Sequence, residues 1–325
     1  MAYTTIDDPS AYFQTAIYTG NGGTISIVND GNSDLQPDWL WFKCRSHNTD
    51  HGLQDSVRGN SLALQSNSNG ADGDVGTSQI TAIGSDGFSL ASGGDVNTNS
   101  RTYVCWQWKA GTSFSNDASS TSVGSVDTAG SVNTDAGFSI MKYTGVSGQQ
   151  TIAHGLGAVP KMILVKNLDS AENWRIYHHS IGAGAYLKLN TVDAKVDDTG
   201  PFSNVTPTSS VITMGGDDGT MHANEELIAY IFAEKQGYSK FGSYVGNGNA
   251  DGTFVYTGFK PAFVLIKITD NGSQDWFILD SKRSPSNLVD DSIAPNQADV
   301  EYTSEANLDF LSNGFKLRMT SIRVN

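Results

Sequence analysis

Apolar residues in this chain come in short runs separated by turns of glycine, serine, asparagine and aspartate, and three of the runs share one form. They are "PDWLWFK" (Pro37 to Lys43), "PKMILVK" (Pro160 to Lys166) and "PAFVLIK" (Pro261 to Lys267). Alternate residues of a strand face opposite sides. Trp39 and Trp41 therefore share one face, and Leu40 and Phe42 the other. Met162 with Leu164, and Phe263 with Leu265, repeat the first face. Ile163 with Val165, and Val264 with Ile266, repeat the second. Both faces are apolar in all three runs. A strand of an ordinary two-layer sandwich keeps one face in water, so the second face predicts a cover: a neighbouring copy, a long loop or another subunit. No run of helical length carries apolar residues at i, i+3, i+4 and i+7, and the short β-branched and aromatic runs between turns predict an all-β chain.

Further landmarks recur in the same order around the three runs. Each is preceded by Tyr18-Thr19-Gly20, Tyr143-Thr144-Gly145 or Tyr244-Val245-Gly246. A second apolar run follows at His51, Trp174 and Trp276, then "SDGFSL" (Ser85 to Leu90), "SSVITM" (Ser209 to Met214) and "SNGFKL" (Ser312 to Leu317). "TYVCWQW" (Thr102 to Trp108) and "ELIAYIF" (Glu226 to Phe232) close the first two units. Recurrence at this period marks a repeat architecture. The expected organisation is an N-terminal arm (1–12) and three tandem β-sandwich, jelly-roll-like repeats at 13–110, 137–237 and 238–325. Residues 111–136 form a linker or loose strand. Leu90 precedes Tyr103, and Met214 precedes Leu227, by 13 residues, and the same interval from Leu317 runs past Asn325. The third repeat is therefore expected to lack its closing strand and to present an assembly edge at Leu317, Ile322 and Val324. Residues 320–325, the N-terminal arm or another chain would fill the gap by β-augmentation.

The net charge of −14 argues against nucleic acid and against an anionic membrane, since phosphate binding draws on clustered lysine and arginine. No apolar stretch reaches bilayer length, and "MAYTTIDDPS" lacks the basic and apolar regions of a secretion signal. The expectation is a protein made in a cytoplasm without membrane insertion. Two cysteines, Cys44 and Cys105, do not make a disulfide scaffold; whether they pair stays open, and small buried residues are the simpler reading. Lys43, Lys166 and Lys267 read as solvated charges that end buried strands.

Candidate chemistry is sparse. His47 and His51 have metal-pair spacing on a helix, but "RSHNTDHG" is a turn composition. His178 and His179 are adjacent, so on a strand they point apart. His154 in "TIAHGLG" reads as a loop residue. "DGNSD" (Asp30 to Asp34) starts like a calcium loop, yet Leu35 and Trp41 stand where glycine and glutamate are needed. "ADGDVG" (Ala71 to Gly76) and Asp217-Asp218 read as turn carboxylates, with a loose calcium site the lesser reading. Glycosidases need two facing carboxylates, and the aspartates here sit mainly in turns. No nucleophile elbow, P-loop or dinucleotide fingerprint is present. No catalytic residue, metal or cofactor is assigned.

The segments "DDPSAYFQTAIYTGNGG" (Asp7 to Gly23), "LQPDWLWFK" (Leu35 to Lys43), "DSVRG" (Asp55 to Gly59), "HGLG" (His154 to Gly157) and "FAEKQGYSKFGSY" (Phe232 to Tyr244) carry a resemblance over nearly the whole chain. It resembles a domain of unknown function in tail-fibre-like virion proteins of marine, notably cyanobacterial, phages. The resemblance implies a non-enzymatic virion protein, a tail fibre or appendage for host attachment. Its partners would be itself, as a homo-oligomer and most simply a trimer, other virion proteins, and a host surface glycan. Trp174, Tyr177, Trp276 and Trp108 are the candidates for stacking on sugars, with core packing as the plainer role for each. A capsid decoration or connector protein is the second reading, and a glycan-cleaving virion enzyme the third.

Overall fold

Both faces of the first two matching strands are buried, and by two different kinds of neighbour; in the third, Phe263 and Leu265 are only half-buried. The computed structural model describes residues 3–74, 79–92 and 94–325. The first 110 residues form β1 (Phe13–Thr19), β2 (Ile25–Ile27), β3 (Trp39–Cys44), β4 (Gly52–Asp55), β5 (Gly59–Leu64), β6 (Gly73–Asp74), β7 (Ile80–Ile83), β8 (Phe88–Leu90) and β9 (Thr102–Trp108). A second block holds β10 (Thr112–Asn116), a one-turn helix α1 (Ala118–Thr121), β11 (Thr128–Asn133), β12 (Phe138–Thr144), β13 (Gln150–Ala153), β14 (Pro160–Asn167), β15 (Arg175–His178), β16 (Val211–Met214) and β17 (Glu226–Ala233). The third holds β18 (Phe254–Tyr256), β19 (Phe263–Ile266), β20 (Phe277–Asp280), β21 (Val289–Ile293), β22 (Tyr302–Leu311) and β23 (Gly314–Leu317). The chain is all-β, with a sandwich-like stacking of antiparallel sheets.

The first large sheet runs β1-β9-β3-β4-β5-β6, and the second runs β10-β11-β12-β17-β14-β15. In each, a late strand inserts between the opening strand and the doubly apolar one. The registers agree: Trp41 faces Trp106 across β3 and β9, and Leu164 faces Tyr230 across β14 and β17. Smaller sheets, β2-β8-β7 and β13-β16, lie over these two. The turn into β8 shows why "SDGF" contains glycine. Gly87 has φ of 97°, and a Cβ there would lie 2.0 Å from the Ile27 carbonyl oxygen.

In the third block the corresponding strands merge into one sheet, β18-β23-β22-β21-β20-β19. The long β22 makes the join. It pairs with β23 at one end and with β21 through a register shift between Val289 and Asp291. Residues 111–136, expected as a linker or loose strand, instead add β10 and β11 to the second sheet.

One face of each doubly apolar strand packs within its own block. Leu40 and Phe42 meet Ile80, Phe88 and Cys105; Ile163 and Val165 meet Ile212 and Met214; Val264 and Ile266 meet Leu308 and Phe310. The other face enters a single core shared by all three blocks, where Trp39, Trp41, Leu164, Trp106, Tyr230, Trp276 and Ile278 are in one cluster. The predicted cover is thus supplied by neighbouring blocks of the same chain. Each large side chain buried there contributes roughly 1.5–3 kcal/mol before its entropy is charged.

One expectation is corrected at this level, and the open question of the cysteines is answered in favour of the simpler reading. Lys43 and Lys166 are not solvated strand ends; they are 1% and 0% exposed. Their Nζ atoms donate to backbone carbonyls: Lys43 to Cys44 (3.0 Å) and Ala298 (3.2 Å), Lys166 to Asn167 (2.7 Å) and Ser170 (3.4 Å). Lys267 donates likewise to Val192 (3.1 Å) and Gln274 (2.5 Å). Burial lowers all three lysines to about 8. Cys44 and Cys105 are both free and buried, so no disulfide joins them.

Candidate assembly groove

The three blocks are locked to one another by a cycle of hydrogen bonds from matching positions. Trp174 Nε1 of the second block donates to the Gln65 carbonyl of the first, at 3.0 Å. Trp276 Nε1 of the third donates to the Lys188 carbonyl of the second, also at 3.0 Å. His51 stands at the matching position of the first block, and its Nε2 lies 3.1 Å from the Ala294 carbonyl of the third. Its Nδ1 accepts from Trp41 Nε1 at 2.9 Å, which fixes the neutral tautomer with the proton on Nε2. Burial first, and then the charge of Lys43, push His51 well below the usual histidine range. An indole or imidazole N–H buried in a core needs an acceptor, and for Trp174, Trp276 and His51 the acceptor belongs to another block.

A second cycle runs in the same direction through the motif Asp-Ser-x-Arg. Asp55-Ser56-Val57-Arg58 and Asp280-Ser281-Lys282-Arg283 follow β4 and β20. In each, the aspartate Oδ1 accepts two turn N–H groups, and Oδ2 accepts from the arginine Nε at 2.6 Å. The remaining arginine donors reach the Leu53 and Ile278 carbonyls and the carboxylates of Asp72 and Glu301. Each aspartate then receives an aromatic donor from another block's closing strand. Tyr230 Oη donates to Asp55 at 2.7 Å, and Trp106 Nε1 donates to Asp280 at 3.0 Å.

The third step of this cycle is open. The position matching Asp55 and Asp280 in the second block is His178, opposite Met162 as Asp55 is opposite Trp39. Its Nδ1 accepts the Ser180 N–H at 3.2 Å, so the proton sits on Nε2. Burial and then His179 lower His178 to about 4, which keeps it neutral. The closing strand that would reach it is the one the third block does not form. β19 is the last strand of its sheet and pairs only with β20. The Ala262 carbonyl accepts from Ser281 N–H on the β20 side. Strand alternation then turns the N–H and C=O groups of Phe263 and Leu265 toward the open side. Residues 239–245, which precede Gly246 as β1 precedes Gly20, form no strand.

Between that segment and β19 lies a groove of about 1560 Å³. Phe263, Leu265, Trp108, Phe232, His178 and Tyr244 are among its lining residues. Phe263 is in edge contact with Trp108 and Phe13, at centroid distances of 5.7 and 5.5 Å. Trp39 also lines the groove and holds a buried indole N–H without a hydrogen-bond partner.

The residues expected to carry function fall as follows. Trp174, Tyr177, Trp276 and Trp108, the sugar-stacking candidates, are 0%, 2%, 3% and 9% exposed. They are core residues: Trp108, Trp174 and Trp276 pack in the core shared by the blocks and Tyr177 in the second block's own core, and the indole N–H groups of Trp174 and Trp276 are spent on cross-block bonds. Of the expected assembly edge, Leu317 is buried in β23 and paired to Leu308, away from any open edge. Ile322 and Val324 do line the groove. Residues 320–325 end in a turn, and the N-terminal arm reaches the Gly258 carbonyl through Tyr3; neither fills the strand position. His154 is a loop residue as expected, but buried. Its Nε2 lies 3.2 Å from the Thr208 carbonyl, and desolvation lowers it to about 4. Asp72 and Asp217 of the loose calcium reading are engaged by Arg58 and Arg175; Val75 and Gly76 lie outside the described residues. No group of three or more metal-ligating side chains occurs among the described residues, and no helix among them is long and apolar enough to cross a membrane.

Sequence reasoning missed Asp55, Arg58, Asp280, Arg283 and His178. The usable signal was the recurrence of Asp-Ser-x-Arg four residues after His51 and Trp276, with histidine at the matching place after Trp174.

Fold and groove together define a class: an all-β, sandwich-like module whose three blocks share a core and leave one strand position accessible. Residues 8–325 match the family described as a domain of unknown function, DUF7483, and the chain belongs to that family. No curated protein and no solved structure matches it.

Proposed function

We propose that the chain is a non-enzymatic structural protein of a virus particle, a tail fibre or tail appendage used in host attachment. One observation carries the non-enzymatic part. The buried charged groups are consumed in the fold itself: Arg58 and Arg283 on Asp55 and Asp280 of their own blocks, Lys166 on carbonyls of its own block, and Lys43 and the half-buried Lys267 each on one carbonyl of its own block and one of another. Catalytic groups, by contrast, face a substrate space with part of their bonding capacity unspent. The virion assignment rests on the likeness of its sequence segments to tail-fibre-like proteins, and a negative, turn-rich surface suits an exposed particle component.

In this reading the protein is found in the virion after synthesis in the host cytoplasm. Its partners are other copies of itself and other virion proteins, and a surface glycan is met by loops, since the core tryptophans are unavailable. The groove favours one second reading, a capsid decoration or connector protein held by another particle component. Antibody labelling of intact particles, together with competition of host adsorption by the purified protein, separates the two. Tail labelling with blocked adsorption supports attachment; capsid labelling without competition supports the connector; absence from particles contradicts both. Release of reducing sugar from host polysaccharide would restore an enzymatic role.

A further inference from the structure

We propose that the groove beside β19 accepts one extended strand, running antiparallel to β19 and carrying the pattern aliphatic, small, tyrosine, any residue, aromatic. The inference stands on the groove itself and not on the proposed role in a particle. The first two blocks show what belongs there. β9 lies between β1 and β3, and β17 between β12 and β14, at the place that is open beside β19. Their registers then read out the occupant position by position. Val104 and Ile228 stand opposite Lys43 and Lys166, so an aliphatic residue belongs opposite Lys267. Cys105 and Ala229 stand opposite Phe42 and Val165, so a small residue belongs opposite Ile266. Trp106 and Tyr230 stand opposite Trp41 and Leu164, so a polar-tipped aromatic belongs opposite Leu265. Trp108 and Phe232 stand opposite Trp39 and Met162, so an aromatic belongs opposite Phe263.

The choice of tyrosine comes from the second cycle. Trp106 and Tyr230 each give a proton to an aspartate of another block. The occupant's residue meets His178 instead, and the Ser180 N–H fixes that ring with its proton on Nε2. A tyrosine oxygen can accept that proton, whereas an indole would set one donor against another. The outward N–H and C=O groups of Phe263 and Leu265 supply ladder bonds, and the groove supplies apolar walls, which is recognition by strand addition. The donor is not a second copy of this chain. Its two strands with the required pattern, β9 and β17, are each paired on both sides within their own sheets.

The test uses the full chain and a labelled synthetic peptide with the sequence of residues 226–233, "ELIAYIFA", flanked by glycine and serine. Fluorescence anisotropy should show one saturable site per chain. Leu265→Pro removes an outward N–H at a strand edge where proline is tolerated; it should weaken binding about tenfold or more while the circular dichroism stays native. Replacing the peptide tyrosine by phenylalanine should weaken binding about three- to tenfold against the native chain and not at all against His178→Leu. Equal affinity for a scrambled peptide overturns the proposal, as does unchanged affinity in a natively folded Leu265→Pro chain. It is also overturned if the chain alone dimerises with the Phe263 and Leu265 amides protected, because a second copy is then the occupant.

Discussion

The hydroxyl of Tyr230, on the closing strand of the second block, donates to Oδ2 of Asp55 in the first block at 2.7 Å. The same oxygen accepts Arg58 Nε at 2.6 Å, so one buried carboxylate oxygen ties two blocks and a turn together. Tyr230→Phe removes the cross-block donor and leaves the ring. It should destabilise the chain by about 1–2 kcal/mol, read from urea unfolding. Trp106→Phe should do the same at Asp280. A change indistinguishable from zero at both sites would mean that these bonds do not hold the blocks.

Arg58 and Asp55 are both almost fully buried, with side chains 1% and 0% exposed. Breaking one partner strands a charge. Arg58→Met should therefore cost about 3–5 kcal/mol, whereas Asp55→Leu combined with Arg58→Met should recover much of it. Equal stability of the single and double variants would contradict the pairing.

How much of this was readable before the structure depends on what each residue's type reveals. Trp39 to Phe42 disclose burial on both faces because a strand's alternation leaves no polar side. The lysines misled because lysine is usually solvated; only coordinates show the Ala298 and Val192 carbonyls waiting for Nζ. Trp174 and Trp276 looked exposed beside polar turns. Their N–H acceptors lie on backbone more than 80 residues away, at Gln65 and Lys188, and no local pattern encodes that. Asp55 and Asp280 resembled the many turn aspartates, and the arginine three residues later was the distinguishing sign.

Acid should weaken the fold through its neutral histidines. His154 is lowered to about 4 by burial, so the unfolded chain binds its proton first. Stability from this group is present above about 6.5, the unfolded value, and is lost as pH falls toward 4, amounting to about 3 kcal/mol. Urea midpoints measured from pH 7 to pH 4 should fall less steeply for His154→Gln than for the native chain. Parallel curves would show that His154 is not buried neutral.

The lysines act at the other end of the scale. Lys166 is lowered to about 8, so between pH 8 and about 10.5 the unfolded chain holds a proton that the fold has released. The native chain should gain stability relative to Lys166→Met as pH rises through that window, by about 3 kcal/mol at most. Comparing the pair at each pH cancels the opposing ionisation of buried tyrosines. A difference that is flat with pH would place Nζ in water.

The central claim is that three blocks close one core and that the third leaves a strand position open beside β19. Residue-resolved hydrogen exchange on the isolated chain tests it most directly. The amides of Trp39, Trp41, Met162 and Leu164, whose strands are paired on both sides, should exchange slowly. Those of Phe263 and Leu265 should exchange orders of magnitude faster, with Val264 and Ile266 slow because they face β20. Equal, strong protection of Phe263 and Leu265 would contradict the account.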